Sequence, residues 1–285
     1  MVNDLNEDIQ DLLRLMEEAV NKMLPIANEL QKQVYDFLRR EIGKFDTSDG
    51  KLVSGQDLHA RIIYIQDSIE NILGIRLWDT TITEFLSTFQ TIQDRNIHLH
   101  RTYNQLLVDT SLLTPARRLI YEQAEYALKQ GLATEYVHPV KFVLMQQVTS
   151  GASINDAMEM LYRWDMGELS NGKYTMDMPA PNLQKYAIQI ARDSAYSVDR
   201  TISSIIKDKY KLDSFIYVGG IIKDSRPICQ YLVSLNRDIA FDELSIILND
   251  PDMQKGLIAG TDNTNFVQRC GGYNCRHKCF PVRSR

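Results

Sequence analysis

Three of the four cysteines in this 285-residue chain lie in its last sixteen residues, Cys270-Gly-Gly-Tyr-Asn-Cys-Arg-His-Lys-Cys-Phe-Pro-Val-Arg-Ser-Arg285, together with a histidine. The fourth closes the run Tyr217-Val-Gly-Gly-Ile-Ile-Lys-Asp-Ser-Arg-Pro-Ile-Cys229. Zinc takes four tetrahedral thiolate or imidazole ligands, which makes Cys229, Cys270, Cys275, His277 and Cys279 candidate ligands. Their spacing, Cys-x4-Cys-x-His-x-Cys with Cys229 alone, lacks a Cys-x2-Cys knuckle. It leaves open a second reading, in which the thiols pack the core of a small domain and His277 bonds to backbone. A third places Asp224, Arg226 and His277 around a hydrolytic or transferase site, which would need a general base and a cleft.

The glycines and turn residues around these groups read as rigid corners. Gly271-Gly272 permits positive backbone dihedrals before Tyr273, and Asn274 can form an Asx turn. In Asp224-Ser225-Arg226-Pro227, Asp224 or Ser225 can cap a helix in which Pro227 occupies the first turn.

The elements that must position these corners are mostly helical. Apolar residues at Leu5, Ile9, Leu12, Met16, Val20, Met23, Ala27, Leu30, Val34 and Phe37 draw one stripe along a long helix kinked at Pro25. Two further stripes run through Leu58–Ile72 and Ile82–Leu99, the pattern of a helical bundle. Helices are also predicted over 119–132, over 137–147 with Pro139 in the first turn, from a Ser153/Asp156 capping box onward, and over 183–209. Asn171-Gly172 and the stretch to Pro181 read as a loop. Only Phe215–Val218 is clearly β-prone, with Phe266-Val267 as its expected partner. The chain thus reads as mainly α: a long kinked N-terminal helix and helical bundle, followed by a small α+β module. The divisions are 1–105, 106–210 and 211–285. Trp78 and Trp164 are expected in cores, and His59, His98, His100 and His138 show no ligand spacing.

A net charge of -5 argues against a protein coated in nucleic acid. From Gln268 onward, however, the chain carries Arg269, Arg276, Lys278, Arg283 and Arg285 and no acid. Such a tail could meet a DNA backbone or an acidic partner, or be a solvated terminus. Neither a secretory signal nor a membrane span is evident, and a cytoplasmic setting is expected, where clustered cysteines are reduced thiols or metal ligands more often than disulfides.

The combination of Tyr217-Val-Gly-Gly, Asp224-Ser-Arg-Pro-x-Cys229, Ile258-Ala-Gly-Thr261 and Gly271-Gly-Tyr-Asn-Cys-Arg-His277 resembles the phage Mu F-like head morphogenesis family. These are the minor head proteins of tailed bacteriophages. Thr149-Ser-Gly-Ala-Ser and Ala191-Arg-Asp-Ser194 resemble the helical segment preceding the family's terminal domain, so that the likeness spans about residues 140–285. Cys270 and Cys279 stand outside the family pattern, and His277 stands where many members carry a cysteine. The resemblance implies a non-enzymatic minor capsid protein in the virion. It would act near the portal during procapsid assembly with other capsid proteins, contact packaged DNA non-specifically and accompany it at ejection. Its helices would offer surfaces for docking or self-association. The alternatives are a metal-dependent nuclease or transferase, or a zinc-containing DNA-binding adaptor. In the expected terminal module the two corners pack together, with Cys229 near Cys275 and Arg226 bridging to backbone carbonyls or an acid.

Overall fold

A computed structural model describes residues 2–52, 58–74, 76–165, 183–273 and 275–284. The expected loop at Asn171-Gly172, together with Asn274 and Arg285, lies outside them, as do the side chains of His59, His138 and Trp164. The chain is mainly helical, with a small sheet near its C-terminus. Helices α1 (Val2–Asn21) and α2 (Leu24–Ile42) are separated by a short turn, and Pro25 sits at the start of α2 rather than mid-helix. There its missing N–H costs no helical hydrogen bond. A hairpin follows, β1 (Thr47–Ser48) with β2 (Lys51–Leu52). Asp49 and Gly50 both have positive φ at its turn, so the polar run that ends the helix also reverses the chain.

Helices α3 (Leu58–Leu73) and α4 (Arg76–Tyr103) extend the second and third stripes by a few residues. The next two predicted helices are nearly continuous: α5 (Thr114–Tyr126) passes through a π-helical turn, Ala127–Gly131, into α6 (Leu132–Thr149). Pro139 therefore lies inside α6, and the helix starts earlier than the proline suggests. Helix α7 (Ile154–Asp165) begins with the expected capping box: Asp156 N–H donates to Ser153 Oγ at 3.1 Å and Ser153 N–H to Asp156 Oδ2 at 3.2 Å. Helix α8 (Leu183–Tyr210) is the last long one. Among the described residues no helix is long and apolar enough to cross a membrane.

After α8 come β3 (Ser214–Val218), α9 (Pro227–Leu235), β4 (Ile239–Ala240), α10 (Phe241–Leu248), α11 (Phe266–Arg269) and β5 (Lys278–Val282). The three strands form an antiparallel sheet in the order β4-β3-β5, with Tyr217 opposite Cys279 and Phe215 opposite Pro281. Phe266 and Val267 are a buried helical turn, not the strand partner expected for Phe215–Val218. That partner is β5, an edge strand in which Pro281 is tolerated because the outer side needs no N–H.

Contacts divide the chain into two units whose segments alternate in sequence: Met1–Asn21, Phe85–Ala124 and Ala191–Arg285 form one, and Lys22–Glu84 with Glu125–Ile190 the other. In the second, α3 packs on α2 and α6, and α7 packs on the same two helices. Trp78 is buried there, its indole N–H reaching Leu128 O at 3.4 Å. In the first, α1 buries Leu5, Ile9, Leu12, Met16 and Val20, the expected stripe. Glu17 of α1 accepts hydrogen bonds from Arg192 Nε and Nη2, each at 3.1 Å, and from Tyr196 Oη at 3.2 Å. Along α8, Tyr196, Ile202 and Ile206 are buried together with Ala187, Ala191 and Ala195, while Tyr186 and Ile190 are half-buried.

Candidate functional site

The terminal module brings its two sequence corners together around a buried sulfur pair. Pro227 opens α9, and Arg226, with an extended backbone, is the residue before it; neither Asp224 nor Ser225 caps the helix. Ser225 instead closes the preceding turn, its Oγ accepting from Ile222 N–H at 2.9 Å, and Asp224 is exposed. In the first turn of α9, Cys229 is buried at 1% exposure beside Cys275 and His277, each at 4%. One ligand atom from each of these three lies within 4.8 Å of the other two. Cys275 Sγ stands 3.5 Å from His277 Nδ1, and the Tyr217 hydroxyl stands 3.3 Å from Cys229 Sγ and 3.8 Å from Cys275 Sγ. The Tyr217 and His277 rings stack with centroids 5.4 Å apart and planes 11° apart.

Glycine makes this approach feasible at two positions. A Cβ on Gly271 would lie 2.5 Å from Cys229 Sγ and 2.8 Å from Cys275 Sγ, and one on Gly219 would lie 2.8 Å from His277 Cγ and 2.9 Å from its Cα. Gly272 follows with φ +90, the positive dihedral expected of this pair. His277 does not bond to backbone as one reading supposed: Nδ1 faces the Cys275 sulfur, and Nε2 is buried without a hydrogen-bond partner.

The two thiols of the pair are shifted in opposite directions. The Cys275 thiol is held well below its ordinary value, first by the hydrogen bond from Cys229, then by His277 and the Arg200 guanidinium, against the opposing effect of burial. Cys229 is pushed up, by that same hydrogen bond and by burial. Burial, opposed by Arg200, raises Cys270 to about 11, and burial also raises Cys279. Cys270 donates weakly to Val267 O at 3.5 Å, while Cys279 belongs to the core around Phe215 and Tyr217. Neither joins the Cys229, Cys275 and His277 group.

Two arginines hold the corners in place. Arg226 donates through Nε to Gly256 O at 2.6 Å and through Nη2 to Tyr273 O at 2.8 Å, bridging backbone carbonyls of two loops. Arg200 of α8 is buried and donates through Nη2 to Cys275 O at 2.6 Å and His277 O at 3.2 Å. Sequence reasoning missed Arg200, because nothing in a helical stripe marks one arginine as facing inward. Arg226→Ala removes two charged hydrogen bonds at a partly exposed site and is expected to cost about 1–3 kcal/mol. Arg226→Lys should restore little, since one ammonium cannot reproduce the fork. Urea denaturation followed by near-ultraviolet circular dichroism measures both.

Asp224, Arg226 and His277 are thus engaged separately: one is exposed, one is bound to carbonyls and one is buried against Gly219 and Tyr217. The basic tail also divides. Lys278 is fully buried and forms an ion pair with Asp199 at 2.5 Å, so it is withdrawn from the candidate DNA contacts. Its Nζ also donates to Ser203 Oγ at 3.0 Å, and Asn96 Nδ2 donates to Asp199 Oδ1 at 2.6 Å and Ser203 Oγ at 2.9 Å. Arg269 is half-buried and holds Ala259 O at 2.9 Å, whereas Arg276 and Arg283 are exposed, Arg276 lying 3.9 Å from Glu17. Ser284 is held in place, its N–H and Oγ each donating to the Asp213 carboxylate at 2.7 Å. Away from the thiols, Asp8, Asp11, Arg95 and His98 line a cavity of about 110 Å³, which gives His98 a polar setting that its sequence neighbours do not reveal. His100 is buried, stacks on Phe280 and lies 2.8 Å from Asn104 Nδ2; burial, followed by the Lys278 charge, holds its pKa well below the ordinary value. Comparison with known proteins finds no family model, no curated protein and no solved structure that matches this chain.

Proposed function

We propose that the chain is a minor head protein of a tailed bacteriophage, a non-enzymatic component that docks near the portal during procapsid assembly. The supporting observation is the use the fold makes of the residues that resemble the Mu F-like family. Cys229, Gly271, Cys275 and His277 form one closed corner, and Arg226 ties the loops around it. Residues so buried serve architecture: a polymer substrate cannot reach groups that are 1–4% exposed. This favours an assembly role over the nuclease or transferase reading. Docking surface is available on the helices, where Leu119, Tyr126, Phe142 and Met145 are large and exposed, and on the module at Ile221, Ile222 and Tyr273.

The module can touch packaged DNA through Arg276 and Arg283, with Arg269 beside them only in part. Two or three phosphate contacts imply weak, sequence-independent binding with a slope of about -2 to -3 in log K against log salt. In a filter-binding titration, replacing Arg276 and Arg283 by Gln should flatten that slope by about 2, whereas the Lys278 ion pair plays no part in it. An unchanged slope would remove the module's arginines from the DNA contact.

The assembly role is tested by sedimentation of procapsids made with a tagged copy of the chain. The tag is expected in the procapsid fraction when portal is present, and at a much lower level when portal is omitted. A chain that stays at the top of the gradient under both conditions would contradict the proposal. A chain that binds DNA but never procapsids would favour the adaptor reading instead.

A further inference from the structure

We propose that Cys229, Cys275 and His277 are three ligands of a structural zinc ion, with the Tyr217 hydroxyl at the fourth corner. Zinc bonds thiolate sulfur at about 2.3 Å and imidazole nitrogen or oxygen at about 2.0–2.1 Å in a tetrahedron. The edges of such a tetrahedron are about 3.5 Å between sulfur and nitrogen or oxygen, and about 3.8 Å between sulfurs. The structure has Cys275 Sγ to His277 Nδ1 at 3.5 Å and the Tyr217 oxygen at 3.3 Å and 3.8 Å from the two sulfurs, all near the length of a tetrahedral edge.

Three further observations favour an ion over plain packing. His277 is buried, its Nε2 meets no partner and its Nδ1 meets only the Cys275 sulfur, so the polar capacity of the ring is directed at the thiol pair. Gly271 and Gly219 present bare backbone to the group, leaving no side chain between the chain and the sulfurs. Arg200 grips the carbonyls of Cys275 and His277, and so fixes the backbone of the Cys-x-His turn. Two thiolates balance the charge of a divalent ion, and the donor set suits a borderline-soft metal rather than calcium or magnesium. Cys270 and Cys279 are not ligands: one faces Val267 O and the other lies in the sheet core.

A closed site of this kind staples parts of the chain that are far apart in sequence. It joins the first turn of α9 to the turn before β5, the two corners of the module. With no ligand more than 4% exposed, the role is structural.

The test uses the whole chain, purified under a thiol reductant with zinc supplied. Elemental analysis is expected to return one zinc per chain. Titration of the metal-free chain with cobalt(II) is expected to give the intense visible bands of a tetrahedral site and a thiolate-to-cobalt charge-transfer band. Cys229→Ser, Cys275→Ser and His277→Ala should each weaken metal binding by more than about tenfold, while Cys270→Ser and Cys279→Ser retain one equivalent. Tyr217→Phe should keep the charge-transfer band and alter the visible bands as water takes the fourth position. Wild-type chain holding less than a tenth of an equivalent of zinc and giving no charge-transfer band with cobalt would overturn the proposal, whatever the variants do. So would equal metal loss in the Cys270 and Cys229 variants.

Discussion

Asp199→Ala, on helix α8, is expected to destabilise the chain by about 3–5 kcal/mol by breaking the ion pair with Lys278 of the terminal module. Its carboxylate is 1% exposed and faces a lysine at 0% exposure, at 2.5 Å. Removing the carboxylate leaves the Lys278 ammonium in an apolar setting beside Phe280, with only Ser203 to accept from it. Asn96 also loses an acceptor. Lys278→Ala should cost a similar amount through the converse defect, a buried carboxylate held only by Asn96. The pair itself contributes little against an apolar substitute of the same shape, since two desolvated charges roughly offset their attraction. The double variant Asp199→Leu with Lys278→Met is therefore expected to be more stable than either alanine variant. Equilibrium unfolding in urea measures all three. If the single alanine variants lose less than about 1 kcal/mol, the pair is solvated rather than buried.

Gly271→Ala is expected to cost about 1–3 kcal/mol, or more, through steric overlap alone. The added carbon would sit 2.5 Å from Cys229 Sγ and 2.8 Å from Cys275 Sγ, and neither sulfur is on a long side chain that can swing away. The same overlap pushes the thiols apart, so the variant should also lose its cobalt charge-transfer band. Gly220→Ala is the control. A Cβ there meets nothing within 4 Å, and the expected change is within about 0.5 kcal/mol. Equal effects at the two glycines would mean that the variants report backbone freedom rather than the approach of the sulfurs.

The parts of this molecule legible in its sequence are those with local causes. The stripe from Leu5 to Val20 is buried as its spacing requires, and Ser153 with Asp156 forms its capping box because both partners lie within one turn. Gly271-Gly272 marked a turn with positive dihedrals, which Gly272 adopts at φ +90, but not the approach of two sulfurs to Gly271. What the sequence hid depends on distant partners. β5 reads as a basic, cysteine-bearing tail with a proline, and becomes a strand only because β3 offers an edge that needs no donor from Pro281. Lys278 looks like a phosphate ligand until Asp199, 79 residues away, is found against it. Arg200, which holds the carbonyls of Cys275 and His277, carries no motif of its own, and Tyr217 opens the Tyr217-Val-Gly-Gly run without any local sign that its hydroxyl faces the two sulfurs. Divisions at 105 and 210 follow the predicted succession of helices and strands, whereas the two compact units are assembled from alternating segments that this succession does not mark.

The proposed assembly role would place this chain at a definite position in a phage head, and an asymmetric cryo-electron microscopy reconstruction of purified virions and procapsids tests it directly. The account predicts density for the helices and the terminal module adjacent to the portal, in a few copies per particle, with a compact peak between Cys229, Cys275 and His277. Virions and procapsids that contain no copy of the chain, by reconstruction and by mass spectrometry of the same particles, would contradict it.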